Sequence, residues 1–403
     1  MKRLLALFLA LTLFLPVLAL GEGDIDLEDE LVEDVELDDE GNELSDVPSI
    51  DPDQILSVDQ QAELAASLES GDYTPTELDI GNLYMNENLP TDKVINILLL
   101  GVDTRNAELE ENDVKLADVQ IILSYNLEDG SIKLSSILRD TLVTNPFTGK
   151  MKPINESYQS FDSKNKFHDN PQRSVATVNY NFELNIQYYV TINFHGVASI
   201  IDAIGGIDVD LTEGEAWNIN RYLTKNAKKI ARTYDTLEKG EKRTALEVRD
   251  GVQHLDGIQA LMYARLRKSL SSKYEMGDDW QRTARTRHLL DLLLQKVLKM
   301  DFMDIFDLLG TAIDYVNSNM NADVMLDLIR KVLSSGITSK LSSSDSLIEQ
   351  FRIPMGSSEN GDKTWGYDAD TGKIFMSRNN GNFQKNVEAL HEFIYGRYYP
   401  ANP

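Results

Sequence analysis

The hydrophobic pattern takes hold at residue 94. Val94-Ile95-Asn96-Ile97-Leu98-Leu99-Leu100 is an apolar run with one polar break, closed by Gly101. A continuous run of this length predicts a strand buried on both faces. Residues 119–125 form a second strand-like run, Glu128-Asp129-Gly130 signals a turn, and residues 132–138 form a third, partly alternating run. An antiparallel meander of the three would bring the end of the first, the start of the second and the end of the third to one edge. Asp103, Asp118 and Arg139 stand at those three places.

Beyond the meander the period changes. Residues 174–184 have helical spacing, 188–194 are strand-like, and 196–204 are helical up to Gly205-Gly206, a stop signal. Residues 207–211 alternate as a strand. Residues 213–250 read as a polar, irregular surface excursion. Short helical spacing returns at 257–264. A strong helix is expected over 283–298, with Leu289, Leu290, Leu293, Leu294, Val297 and Leu298 on one side. Two more helices are expected at 302–316 and 324–333, then short strands from Phe351 and a last helix over 382–394. Strands mixed with helices throughout imply an α/β or α+β sandwich with helices on both faces.

Upstream of this region the pattern is different. Lys2 and Arg3 precede a run without charge from Leu4 to Leu20, the layout of an export signal. Its 17 residues make a helix of about 26 Å at roughly 1.5 Å per residue, against a hydrocarbon core of about 30 Å. The run is therefore a cleaved signal peptide, for which Val17-Leu18-Ala19 offers a site, or a short membrane anchor. Either way the positive flank sends the rest of the chain outward. From Glu22 to Asp46 there are 14 acidic residues and no basic one, about half of the net charge of −27. Such a block is self-repelling and unable to build a core. It reads equally as a solvated stalk and as a solubility tail. Residues 55–68 allow one helix, and Pro52, Pro75 and Pro90 punctuate the lead-in. The expected division is 1–20 signal or anchor, 21–92 acidic linker, 93–300 catalytic domain, and 301–403 a helical and short-strand extension packed on it.

Composition also excludes chemistry. There is no cysteine, which removes disulfides, thiolate nucleophiles and Cys-ligated metals. The acidic balance disfavours nucleic acid as a partner. No Walker-type phosphate loop, G-x-S-x-G elbow or H-E-x-x-H word occurs, and the five histidines are scattered.

Carboxylates and arginines remain. Asp103 and Asp118 at one sheet edge suit a hard cation such as Mg²⁺, whose shell phosphate oxygens complete. Arg139-Asp140 follows the third strand, Arg265 and Arg267 flank Leu266, and Arg282 and Arg285 share a helix face. Arginine's planar fork bonds two phosphate oxygens at once, and a helix start adds free amides. Together these describe a candidate pyrophosphate–metal site.

The words around these residues carry a resemblance. Asn96-Ile97-Leu98-Leu99-Leu100-Gly101-Val102-Asp103-Thr104-Arg105, Ala117-Asp118, Arg139-Asp140-Thr141 and Ile154-Asn155 come first. Tyr189-Val190-Thr191-Ile192-Asn193-Phe194 and the stretch from Ile201 to Asp210 follow. Leu255-Asp256-Gly257 through Arg265-Leu266-Arg267 and Asp279-Trp280-Gln281-Arg282-Thr283-Ala284-Arg285 end the series. In this order and spacing the chain resembles the LytR–CpsA–Psr family of bacterial cell-envelope proteins. The resemblance implies an α-β-α sandwich with a lipid-binding cavity, expected between the sheet and the helices of residues 197–204 and 289–298. It implies an outward-facing phosphotransferase that moves a polyprenyl pyrophosphate-linked glycopolymer, of teichoic acid or capsule type, onto peptidoglycan with Mg²⁺. By motif position Asp103 and Asp118 are the metal aspartates. Arg139, Asp140, Arg265 and Arg267 are the catalytic group, and Arg105, Lys115, Arg282 and Arg285 bind substrate. The chain departs from the family pattern at Leu116, Val119, Leu138 and Thr286. A lipid-pyrophosphate hydrolase and a non-catalytic envelope protein, such as the transcriptional attenuator of older naming, are the alternatives.

Overall fold

A computed structural model describes residues 80–102, 116–158, 170–225, 244–266, 273–274, 316–321, 348–355, 365–368, 373–376 and 381–401, with scattered positions between 285 and 328. Strands β1 (Val94–Val102), β2 (Ala117–Asn126) and β3 (Ile132–Ile137) form the expected antiparallel meander. Strand β6 (Tyr188–Asn193) runs parallel to β1 on its other side. A six-stranded mixed sheet results, in the order β10-β3-β2-β1-β6-β9. Its edges are β10 (Ile348–Ile353), parallel to β3, and β9 (Val316–Ser318), antiparallel to β6.

Side chains alternate across a strand, and β1 separates two cores on that account. Leu98, Leu100 and Val102 face one, with Ile122 of β2. Ile97 and Leu99 face the other, with Val119, Ile121 and Leu123. The first core is closed by helix α1 (Asn170–Phe182) through Val175, Val178 and Phe182, and by the C-terminal helix α5 (Asn382–Tyr395) through Phe383, Val387, Leu390 and Ile394. The second takes Met320 and the helical positions Val324 and Leu328. Helices therefore lie on both faces of a central sheet. The polar break at Asn96 is satisfied inside the first layer: its Oδ1 accepts from Ser124 Oγ at 2.6 Å, and its Nδ2 donates to the Tyr395 hydroxyl at 2.6 Å.

A small hairpin, β4 (Leu142–Thr144) with β5 (Met151–Pro153), follows the meander and leads into a 3₁₀ turn at Ile154–Tyr158. Helix α2 (Phe194–Ala203) starts on the Asn193 side chain, which accepts from the Gly196 amide at 2.7 Å. It stops at Gly205 and Gly206, both left-handed, and Lys296 Nζ bonds both of their carbonyls at 3.1 and 2.5 Å. Helix α4 (Gly257–Arg265) crosses α2 closely. A Cβ at Gly257 would lie 1.9 Å from the Ala198 carbonyl oxygen, so only glycine permits the approach.

Four expectations need correction. The segment 213–250 is not irregular throughout. It contains helix α3 (Glu213–Lys225), which buries Ala216, Asn218 and Ile219, and it runs into β8 (Gly251–Leu255), which pairs with β7 (Ile207–Leu211). The segment after 300 is not an extension laid on a finished domain, because β9 and β10 are the two edges of the central sheet. Val316, expected to end a helix, begins β9. Order also reaches back before residue 93. Leu83 and Leu89 are core residues, and Asn179 Nδ2 holds the Leu83 carbonyl at 3.0 Å. That entry segment is clasped by the far end of the chain. Asn86 Nδ2 donates to Tyr399 O and Asn88 Nδ2 to Pro400 O, both at 2.9 Å. Glu183 Oε2 accepts from the Tyr398 hydroxyl at 2.7 Å and the Ala401 amide at 3.0 Å.

No described helix is long and apolar enough to cross a membrane. The run from Leu4 to Leu20, the acidic linker and the helix expected at 55–68 lie outside the described residues.

Candidate active site

The site begins with an irregularity in β2. Gly101 pairs with Val119 and Val102 with Ala117, which leaves Asp118 as an extra residue on its strand. A bulge of this kind re-aims the side chain it carries. Asp118 Oδ1 accepts from Asn155 Nδ2 at 3.2 Å and lies 3.9 Å from Arg139 Nη1.

Arg139 and Asp140 occupy the tight turn after β3, in which the Thr141 amide returns to the Leu138 carbonyl at 3.0 Å. The turn is moored on two sides. The Leu138 amide bonds Ile353 O of β10 at 2.9 Å, and the Asn155 amide bonds Arg139 O at 3.2 Å. Arg139 Nε reaches Asp140 Oδ2 at 3.4 Å. The Arg139 side chain is 46% exposed. At that exposure the two ion pairs contribute only about 0–1 kcal/mol, too little to fix Arg139 as a structural strut. Its guanidinium fork stands open to an incoming anion.

Beneath this cluster lies a buried polar layer. Gln120 Nε2 donates to Ile154 O at 2.8 Å and to Ser157 Oγ at 3.2 Å, and Ser157 Oγ meets Ser174 Oγ of α1 at 3.0 Å. Three oxygens of the layer, Gln120 Oε1, Thr141 Oγ1 and Asn155 Oδ1, are buried without a partner. Native interiors rarely leave such groups unmatched, so a ligand, ion or water is the natural complement. The donors fit Mg²⁺. Asp118 and Asn155 Oδ1 are hard oxygens, and Mg²⁺ needs only one or two carboxylates when phosphate and water fill the rest. Among the described residues no group of three or more His, Asp or Glu side chains could hold an ion alone.

A second group lies at the junction of α3 and α4. Arg265 ends α4 and is half-buried. Arg285, expected to bind substrate, is itself buried. Its Nε donates to Glu215 Oε1 at 2.6 Å and its Nη1 to Leu266 O at 3.1 Å. Glu215 Oε2 in turn accepts from the Thr212 amide and hydroxyl, both at 3.0 Å. Arg285 thus ties the start of α3 to the residue between Arg265 and Arg267. Tyr263 is held protonated well above its usual range, first by burial and then by the Glu215 charge. Asp103, Arg105, Lys115, Arg267 and Arg282 lie outside the described residues.

The sequence reasoning passed over Asn155 and Glu215. Asn155 stood in a motif word, but its role shows only in the orphaned oxygen and the bond to Asp118. Glu215 carried a signal, since Thr212 and Glu215 have capping-box spacing.

The chain matches the LytR_cpsA_psr family over residues 58–381. It is 27% identical over 270 residues to Biofilm regulatory protein A of Streptococcus mutans, covering 65% of this chain and 58% of that one. It is 28% identical over 245 residues to the polyisoprenyl-teichoic acid–peptidoglycan teichoic acid transferase TagU of Enterococcus faecalis, covering 61% of this chain and 66% of that one. The chain thus spans less than two thirds of each of these relatives. Its fold is similar to the crystal structure of protein gbs0355 from Streptococcus agalactiae, with a TM-score of 0.50, 18% identity, and 82% and 94% of the two chains covered. A match that runs through four fifths of the sequence and takes in both groups of site residues leaves one conclusion: this chain belongs to the LytR_cpsA_psr family.

Proposed function

We propose that this protein transfers a polyisoprenyl pyrophosphate-linked glycopolymer to peptidoglycan on the outer side of the cytoplasmic membrane. One observation carries the reading. A half-exposed arginine stands between two carboxylates beside an orphaned amide oxygen, at the end of a meander whose family includes TagU. A pyrophosphate would bring its anionic oxygens to the exposed side of that guanidinium, beyond the two carboxylates.

In this reaction a sugar hydroxyl of the wall attacks the phosphorus that bears the glycopolymer. The new P–O bond forms as the bond to the bridging oxygen breaks, and the lipid leaves as a monophosphate, whose freed oxygen takes up the hydroxyl proton. Arg139 holds two oxygens of the transferred group in its plane and meets the charge that grows on them. Asp140 takes the Nε side of the guanidinium and so fixes the direction of its fork. Asp118, carried on the bulge and steadied by Asn155, would hold Mg²⁺ together with Asn155 Oδ1 and, by family motif, Asp103. When bound, Mg²⁺ would neutralise phosphate charge. Arg265 and Arg267 complete the catalytic group by family motif, with Arg105, Lys115 and Arg282 on the substrate. Arg285 we assign to positioning. The lipid would lie along the apolar faces of α2 and of the helical positions Leu289 and Leu293.

The test is incubation of the full chain in detergent with a polyprenyl pyrophosphate-linked sugar, with and without peptidoglycan. Release of polyprenyl phosphate that depends on the acceptor is the expected result. Release indifferent to the acceptor would make the protein a hydrolase, and tight binding without release a carrier or sensor.

A further inference from the structure

Six large apolar or aromatic side chains stand strongly exposed among the described residues, and three of them, Tyr84, Met151 and Tyr180, gather in one place. Tyr84 meets Tyr180 edge-to-face with ring centroids 5.4 Å apart, and meets Phe147 edge-to-face at 6.1 Å. Met151 joins through Thr144, whose hydroxyl contacts its sulfur at 3.4 Å. Thr144 is fastened to α1 beside Tyr180, because its amide donates to Asn181 Oδ1 at 2.9 Å and its carbonyl accepts from Asn181 Nδ2 at 2.7 Å. The rings thus come from three separate segments; Tyr84 and Tyr180 face solvent, while the partly buried Phe147 rests on the core beneath them.

Three features show that the patch is held this way. Of residues 171–182 in α1, only Tyr180 is exposed. Tyr84 adopts φ +53°, a left-handed conformation that a bulky side chain rarely accepts. It is kept there by the bonds on either side, Asn179 to the Leu83 carbonyl and the Asn86 amide to the Leu184 carbonyl. Such outliers persist where the surroundings over-determine them and gather at functional surfaces. Phe147 is pinned from below by the buried Arg173 guanidinium, 5.7 Å from its ring centroid.

The patch is joined to the active site by the chain itself. Strand β4 leaves the Arg139-Asp140-Thr141 turn, and β5 returns to Ile154-Asn155. Three residues at about 3.4 Å each place the far end of the hairpin about 10 Å from the turn. Arg265 and Arg285 come from elsewhere, the side of α3 and α4.

We infer that Tyr84, Tyr180, Phe147 and Met151 form a platform for a saccharide chain, the acceptor glycan strand of the wall. Aromatic faces receive the C–H faces of pyranose rings, and the tyrosine hydroxyls meet sugar hydroxyls at the rim. Among the described residues no leucine, isoleucine or tryptophan is exposed in the patch, as a surface inserting into lipid would require. The donor's sugars issue from the pyrophosphate held by the arginines, so the attacking hydroxyl needs its own seat, and the hairpin flank supplies one. The choice of strand rests on the transferase reading; saccharide binding does not.

The experiment uses the full chain in detergent and titrates three probes: an N-acetylglucosamine tetramer, poly(glycerol phosphate) and phosphatidylglycerol vesicles. The tetramer is expected to bind, and Tyr84→Ala with Tyr180→Ala to weaken it about tenfold or more. Tyr222→Ala, an exposed tyrosine on α3 away from the patch, should leave binding unchanged. Circular dichroism would confirm that the variants remain folded, as exposed positions predict. The proposal is overturned if the wild type does not bind the tetramer, if the double variant binds it equally well, or if only poly(glycerol phosphate) or vesicles depend on the two tyrosines. Binding is read without turnover, so loss of the transferase reading and loss of the platform are separate outcomes.

Discussion

A guanidinium and an ammonium carry the same charge, and Arg139 is where the difference should be felt. Lysine there keeps the charge and loses the fork, so it cannot hold two phosphate oxygens in one plane. Arg139→Lys is therefore expected to reduce turnover by about 100-fold or more, close to the loss from Arg139→Ala. Lipid binding should survive better in the lysine variant. Single-turnover kinetics beside equilibrium binding would show it, and wild-type rates in both variants would remove Arg139 from the centre. Asn155 makes a second case. Removing its side chain in Asn155→Ala deletes the orphaned oxygen and frees Asp118. The Mg²⁺ concentration for half-maximal rate should rise, with little change in the unfolding midpoint. An unchanged Mg²⁺ dependence would place the ion elsewhere. The meeting of Asp118, Arg139 and Asp140 was legible from the sequence because each stands at one end or the other of an apolar run. Asn155 was not, since its partners lie 16 and 37 residues away and meet only once β2 and β3 are paired.

At the scale of elements, the buried runs announced themselves and the polar ones did not. β1 was plain because both of its faces are covered, so no polar alternation interrupts it. Helix α3 was hidden because most of its residues are polar and its buried stripe is narrow. The edge strand β9 was hidden by its three residues, and the place of β10 in the sheet by long separation, since pairing partners 216 residues apart leave no local trace. The hidden helix also carries the most deeply buried ion pair among the described residues. Glu215 and Arg285 have side chains 11% and 8% exposed. Breaking a pair this deep by Glu215→Ala leaves a buried guanidinium unmatched and should cost about 3–5 kcal/mol. Replacing both residues by apolar side chains of similar volume should recover much of that loss. Urea midpoints of the single and double variants decide the matter. A single variant as stable as the wild type would show that Arg285 finds its support elsewhere.

Across the whole molecule, acid should loosen the join between the C-terminal helix and the sheet. His391 of α5 is fully buried, with Nε2 2.9 Å from Phe182 O and Nδ1 3.3 Å from the Tyr399 amide. These partners fit a neutral ring that donates from Nε2 and accepts at Nδ1. Burial lowers its pKa below the ordinary 6.5, outweighing the Phe182 carbonyl. The unfolded chain therefore takes up a proton before the folded one does. This contribution is whole above pH 6.5 and is lost as pH falls through the lowered value. The thermal midpoint should drop between neutral pH and about pH 5, and His391→Gln should flatten that slope. An equal slope in the variant would assign the effect to the carboxylates. The neighbouring clasp, in which Tyr398, Tyr399, Pro400 and Ala401 grip Asn86, Asn88 and Glu183, has a mechanical meaning. Tension arriving along the polypeptide from residue 80 would meet those bonds before it met β1. The first structure to yield would be the segment that sets the Tyr84 ring. Deleting residues 398–403 removes the grip, so a pull that the intact protein resists would unseat that ring.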